Sequence, residues 1–387
     1  MSSNIIIKNF RNKTKNQDHK KLLSYLNKIN SLEWPKFLQS YKKNYKYTFD
    51  KKLINKYNKI KNVNIIGMGG SSLGAKAIYS FLKNRIKKNF YFFENIVLKK
   101  NIFSRGLNII ISKSGNTLET IVNSNLLLTN NNKNIFITER NNNYLRKLAK
   151  KLKSDVIEHK NFIGGRFSVL SEVGMLPSQL MGLNETKFKK YNSLIADKKF
   201  LNNLIHNTLC TYEFIKKKKF NSIILNYDPN SEDFFKWYQQ LVSESLGKNS
   251  KGILPVISTM PKDNHSILQL YLSGFKSNFY TFFIAEETNS KIINPKYLLN
   301  EFNFLKRKKT FDIINSQRIA TENIFRAKKI PFRSFYVKKR NEETMGELFC
   351  FFTLEVILLS NLLKLNPLDQ PEVELVKQET FKILKNN

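Results

Sequence analysis

Short apolar runs recur along this chain, each leading through a turn into a stretch of helical pattern. Residues 63–66 run into GMGGSSLG and the helix-like SLGAKAIYSFLKNRI; residues 90–98 form a second strand. Residues 107–111 form a third, ending in SKSGNT before a helix, and 134–138 a fourth. Continuous apolar strands that alternate with helices predict a parallel sheet covered on both faces. After GGRFSVLSEVGMLPSQLMG the pattern restarts: a strand at 222–225, the helix SEDFFKWYQQLVSES, a further helix containing NHSILQLYLSG, and a strand at 279–285. The expected fold is therefore α/β, with two successive units, each a mainly parallel sheet flanked by helices. The expected divisions are a helical segment at 1–45, a first unit at 46–190, a second at 191–365 and a C-terminal helix at 366–387 carrying Lys377. Residues 1 to about 60 read as polar, lysine-rich helices. Ligands of such sheets bind beyond the carboxyl ends of the strands, which is where these turns fall.

Composition narrows the function classes. With 387 residues, 41% of them hydrophobic and 31 Phe, the chain can build two proper cores. A net charge of +36 suggests an anionic partner, but the lysines are scattered and accompanied by abundant Asn, Ile and Phe. That joint excess looks like a bias toward AT-rich codons. Only short clusters occur, such as Lys216 to Lys219 and the KRKK at 306–309, so no specific nucleic-acid partner is expected. Cys210 and Cys350 show no CxxC spacing, and His19, His159, His206 and His265 show no ligand pairing, which supports neither disulfides nor a metal. The N-terminus lacks a signal-peptide core. The apolar run at 348–365 is interrupted by Glu355 and Asn361 and reads as a buried core helix rather than a membrane span. The expected location is the cytoplasm.

Several segments carry chemistry. The turn Gly67-Met68-Gly69-Gly70-Ser71-Ser72-Leu73-Gly74 follows a strand and opens a helix, a ready anion site. It lacks the GxGxxG spacing of a dinucleotide fingerprint, its second strand ends in Lys99-Lys100 rather than an acid, and no GK[ST] follows. The second turn, Ser112-Lys113-Ser114-Gly115-Asn116-Thr117, offers hydroxyls and a lysine; it reads as a phosphate site, as a helix capped by Asn116 or Thr117, or as both. GGRF puts Arg166 after two glycines, either as a solvated residue on a glycine turn or as a cation of fixed geometry facing an oxyanion. Gln240 and Glu244 share a helix face, with small polar neighbours that suit a ligand wall; a solvated surface acid is the plainer reading of Glu244. A lone His265 is more often structural than catalytic. NPLDQPEVELVK at 366–377 combines a turn with a helix start, so that Gln370 and Lys377 can line one cleft.

In this order, the segments resemble the glucose-6-phosphate isomerase (phosphoglucose isomerase) family, which is built from two sugar-isomerase (SIS) domains. GMGGSSLG is similar to its first phosphate turn and SKSGNTLET to its second. GGRFSVLSEVGMLP is similar to the signature around its arginine, WYQQLVSESLGK to its glutamate segment, NHSILQLYLSG to its histidine segment, and NPLDQPEVELVK to its C-terminal lysine helix. The likeness spans about residues 60–380. It implies that Ser71, Ser112, Lys113, Ser114 and Thr117 hold a sugar phosphate, with Gly70 allowing close approach. It further implies that Arg166 stabilises a cis-enediolate, that Glu244 moves a proton between C1 and C2 beside Gln240, that His265 with Lys377 opens the hexose ring, and that Gln370 contacts substrate. The family's histidine reaches the partner subunit's site, which implies a homodimer. The reaction is aldose–ketose isomerisation of glucose 6-phosphate to fructose 6-phosphate in glycolysis and gluconeogenesis, with no cofactor, metal or membrane required. Two departures stand out: SKSGNT replaces the family's usual SKTFTT, and the chain is short for the family. SKSGNT also resembles relatives that act on both glucose and mannose 6-phosphate. A non-catalytic SIS module that senses sugar phosphates is the alternative from another class, and it has no need of Glu244, His265 and Lys377 together.

Overall fold

The computed structural model describes residues 3–33, 35–98, 106–129 and 132–386. Among them, ten strands form two five-stranded sheets. In chain order they are β1 (Ile5–Lys8), β2 (Asn62–Ile66), β3 (Asn89–Phe93), β4 (Leu107–Ile111), β5 (Lys133–Thr138), β6 (Asp155–Glu158), β7 (Asn221–Asn226), β8 (Leu254–Thr259), β9 (Asn278–Ala285) and β10 (Phe332–Val337). The first sheet runs β3-β2-β4-β5-β6 and is wholly parallel. The second runs β1-β10-β9-β7-β8, parallel except for β1, which pairs antiparallel with β10. The central strands are buried along their whole length, Leu107–Ile111 and Asn278–Ala285 alike, as helices on both faces require.

The late apolar run is a core helix, Glu342–Leu363, packed against the helices Lys198–Lys216 and Glu232–Leu246. By length and composition this helix could cross a bilayer, yet 89% of the relevant window is buried inside the protein. The glutamate that interrupts it has a reason. Glu355 meets Arg333 of β10 in a fully buried pair, with Arg333 Nη2 to Glu355 Oε2 at 3.0 Å and a second bond from Nη1. Removing either partner would strand a charge in the core, a cost of about 3–5 kcal/mol.

The sequence reading departs from this architecture in definable places. Residues 5–8 are a strand rather than part of an N-terminal helix; Ile5 is buried under the second sheet's edge, and helix begins at Asn16–Ser31. The strand read at 90–98 stops at Phe93. The next residue, Glu94, is the acid that the reading did not place there, while Lys99 and Lys100 lie outside the described residues. Glu94 is committed within the protein, accepting from Ser72 Oγ at 2.9 Å and Lys76 Nζ at 2.6 Å. The helix read over NHSILQLYLSG is short, Leu268–Ser273, after a 3₁₀ turn at Lys262–His265.

Candidate active site

In the first sheet the chain moves from β2 outward to β3 and then returns to the other side of β2 as β4. The crevice between the carboxyl ends of β2 and β4 is the switch point at which such sheets bind ligands. Both serine-rich turns open onto it: the 3₁₀ turn Gly69–Ser71 after β2, with Ser71 half-buried, and SKSGNT after β4. The helices that follow, Leu73–Phe81 and Leu118–Leu127, start without any side-chain cap. Neither Asn116 nor Thr117 caps its helix, so the capping alternative fails, and the first-turn N–H groups are left without a side-chain partner. Thr117 Oγ1 instead pairs with Ser112 Oγ at 2.8 Å, and Ser112 Oγ also accepts from Gly115 N at 3.2 Å.

The residues that set SKSGNT apart brace the turn from behind. Gly115 has φ +68°, a left-handed conformation that suits glycine, and its carbonyl accepts from Leu145 N at 3.1 Å. Asn116 Oδ1 accepts from Tyr144 N at 3.0 Å. Together they fasten the loop to the start of the helix Tyr144–Lys151. Ser114 is exposed, its Oγ accepting from Asn116 N at 3.2 Å. Lys113 Nζ donates to Asn161 O at 2.6 Å and stands 3.6 Å from Glu139, tying the loop to the segment that leads into GGRF.

Arg166 lies in the 3₁₀ segment Gly165–Leu170 and is 3% exposed, which removes the solvated reading. Its guanidinium is held on several sides. Nη1 donates to Glu244 Oε2 at 2.6 Å and to Gln370 Oε1; Nη2 donates to Pro367 O at 2.8 Å and Asp369 O at 2.9 Å. Burial draws its pKa below the ordinary value, while Glu244 and then Asp369 pull the other way. Glu244 sits on the helix Glu232–Leu246, which packs against both the Gly69–Ser71 turn and the Arg166 segment. One turn earlier, Gln240 Nε2 donates to Glu244 Oε1 at 2.9 Å. Two buried atoms beside this cluster, Arg166 Nε and Gln240 Oε1, have no hydrogen-bond partner among the described residues. A buried donor and a buried acceptor left without partners beside a carboxylate mark a polar site whose hydrogen bonding the chain alone does not complete.

Gly70, expected to let a ligand come close, has a packing role as well. A β-carbon on Gly164 or Gly165 would make only ordinary contacts, at 3.6 Å and 3.8 Å, whereas one on Gly70 would lie 2.8 Å from Arg166 N and closer still to the Gly165 carbonyl. Gly70 thus admits the arginine segment's backbone, and Ser168 Oγ locks that junction by donating to Gly70 O at 3.1 Å and Gly165 O at 2.7 Å.

His265 and Lys377 stand apart from this cluster. His265 is exposed on the turn after the edge strand β8, a turn fixed by Asp263, whose Oδ2 accepts from Thr259 N at 2.7 Å. Lys377 is exposed on the helix Pro371–Asn386, 3.3 Å from Glu374. Sequence reasoning gave no role to Lys248, which clamps the 366–370 turn: Nζ donates to Asp369 O at 2.8 Å and also to Asn366 O and Asp369 Oδ1. The Asp369 carboxyl is held below its usual range by that lysine. Only the final lysine of SESLGK hinted at it. In the second sheet the corresponding crevice, between β7 and β9, is filled by protein: Arg340 donates to Asp228 at 2.6 and 2.8 Å and to Ala285 O at 3.4 Å.

Residues 47–261 match the family model described as "Phosphoglucose isomerase". The chain belongs to the phosphoglucose isomerase family. Phosphoglucose isomerase relatives align over most of its length. One from Methanocaldococcus jannaschii, named glucose-6-phosphate isomerase, is 34% identical over 85% of this chain and 85% of its own. Another of the same name, from Mycoplasmopsis pulmonis, is 31% identical over 83% and 82%. Among solved structures, a hypothetical protein of Thermus thermophilus superposes with a TM-score of 0.81 at 22% identity, covering 95% of this chain and 94% of that one. A glucose-6-phosphate isomerase of Chlamydia trachomatis gives 0.73 at 15% identity over 100% and 89%. At those identities the likeness is one of fold.

Proposed function

We propose that the chain interconverts glucose 6-phosphate and fructose 6-phosphate through a cis-enediolate formed between Glu244 and Arg166. The observation that supports it is the direct contact of Glu244 with Arg166, 2.6 Å apart at the mouth of the first sheet's crevice. Aldose–ketose isomerisation needs one base within reach of two adjacent carbons and a fixed positive group where oxygen charge grows. The Glu244 carboxylate takes the C2 proton of the open-chain aldose, and the charge gathers on the C1 oxygen. Return of the proton to C1, with the O2 hydroxyl proton passing to O1, leaves the ketose. Arg166, held by the 366–370 turn, faces that charge without reorganising, a contribution of about 3 kcal/mol for one aimed donor.

Ser71, Ser112, Lys113, Ser114 and Thr117, with the uncapped helix starts, hold the phosphate, whose remote binding energy orients the sugar. Gln240 and Gln370 face its hydroxyls. Ring opening falls to His265 assisted by Lys377. Both are exposed in the single chain, and the arrangement we propose is a homodimer in which His265 serves the partner's cleft. The two free, buried cysteines, Cys210 and Cys350, suit a cytoplasmic setting. A coupled assay of fructose 6-phosphate conversion, with mannose 6-phosphate run beside it, tests the reading. Turnover of the first substrate is expected; turnover of both makes the enzyme dual, and turnover of neither overturns the proposal.

A further inference from the structure

Lys217 and Lys219 of the Lys216 to Lys219 cluster have no part in the isomerase site, and the fold sets them among other cations, while Lys216 pairs with Glu213. The loops preceding β7, β9 and β10 meet at the amino edge of the second sheet around two adjoining cavities of about 440 Å³ each. Arg11, Lys217, Lys219, Arg326 and Lys329 line the first. Lys219 and Lys329 are shared with the second, where Lys276 and Lys328 join them. Among the described residues, no carboxylate lines either cavity. None of these cations forms an ion pair among the described residues, although acids elsewhere in the chain pair readily. Lys219 is half-buried, its ammonium directed to Lys276 O, and burial lowers its pKa with Lys276 and Lys217 adding to the effect. The floor of the first cavity is apolar, formed by Phe214, Ile330, Pro331 and Phe332.

Like charges gathered around a concave, carboxylate-free hollow repel one another unless an anion lies between them. The separate loops converge on a hollow rather than spreading along a ridge, so the ligand is compact; an extended nucleic acid would call for a stripe of charge. Each cavity has the volume of a small-molecule site. Several ammonium groups within one hollow call for several linked anionic groups.

We propose that this edge of the second sheet is a second anion site, taking a small molecule that bears two or more linked phosphates. Lys219 and Lys329, common to both cavities, hold the phosphate chain, and the apolar floor accommodates whatever the chain is attached to.

Isothermal titration of the full chain at about 0.15 M salt, a concentration at which diffuse surface attraction is screened, tests this with inorganic triphosphate and with ATP as probes. Saturable binding of triphosphate is expected. Tighter binding of ATP identifies a nucleotide source, and equal binding a free polyphosphate. The double variant Lys219→Met/Lys329→Met is expected to weaken binding by about tenfold or more, the loss of two charge-assisted bonds, while isomerase turnover stays at the native rate. The control Lys382→Met/Lys385→Met, which removes equal charge from the exposed C-terminal helix, is expected to leave binding intact. The proposal is overturned if no probe binds, if the control weakens binding as much, if fructose 6-phosphate displaces the probe, or if a short RNA duplex binds more tightly than either probe.

Discussion

Gly70 and Gly165 meet backbone to backbone, and only one of them needs to be glycine. A β-carbon on Gly165 would find nothing nearer than Gly70 Cα at 3.8 Å, an ordinary contact, whereas one on Gly70 would press into the Gly165 carbonyl and lie 2.8 Å from Arg166 N. Gly70→Ala is therefore expected to push the arginine segment away from the first turn, costing about 1–3 kcal/mol as an overpacked junction. Gly165→Ala should be near neutral. Thermal melts paired with turnover measurements check the asymmetry, and equal effects of the two substitutions would refute it.

Glu244→Gln keeps the shape of the side chain but removes the base and the negative charge that faces Arg166 Nη1. Turnover should fall by about 10²–10⁴-fold, the range for a lost general base. Deuterium incorporation at C2 in heavy water should vanish, while a sugar-phosphate inhibitor still binds. Full exchange in the variant would remove Glu244 from the mechanism.

Lys248 acts at one remove, through the turn whose carbonyls grip Arg166. Lys248→Met should loosen that turn and lower kcat about tenfold or more, in keeping with about 1.5–3 kcal/mol for a charged hydrogen bond, with KM almost unchanged. Lys248→Arg should restore much of the loss. A change confined to KM would show that Lys248 serves binding instead.

Two buried bases contribute to the pH dependence of stability. Burial pulls His159 from 6.5 to about 4 and Lys189 from 10.5 to about 7. In each window the unfolded chain holds a proton that the folded chain does not, so stability rises with pH. The His159 contribution is present above pH 6.5 and lost as pH falls toward 4; that of Lys189 grows from pH 7 to 10.5. Urea titrations across pH should show His159→Gln flattening the acid limb and Lys189→Met the alkaline one. A variant curve parallel to the native one in its window would contradict the corresponding assignment.

The central strands were legible because they are almost wholly apolar: β4 is LNIII, buried throughout with one hydrogen-bonded asparagine, and its observed bounds are those read from the sequence. The strands that escaped notice are edges or carry buried charge. β8 contains Pro255, which an edge tolerates. β6, DVIE, is short and half polar. β10 hides Arg333, whose partner Glu355 lies on a distant helix, so no local pattern could declare it apolar. In the candidate site, motifs singled out Arg166 and Glu244, which the fold brings 2.6 Å apart. The packing need of Gly70 and the clamp by Lys248 were not, since both depend on which segments the fold brings together.

The pairing of β1 with β10 has a consequence for how the molecule is made. Of the ten strands among the described residues, Ile5–Lys8 is the first to be synthesised, yet its partner in the sheet is Phe332–Val337, the last of them. The second sheet can be closed only once Phe332–Val337 has been made, so Ile5–Lys8 waits without its partner while the chain between them is synthesised. Loop closure over so long a separation is slow, so removing residues 1–10 should speed assembly while leaving the finished protein with an open, adhesive flank.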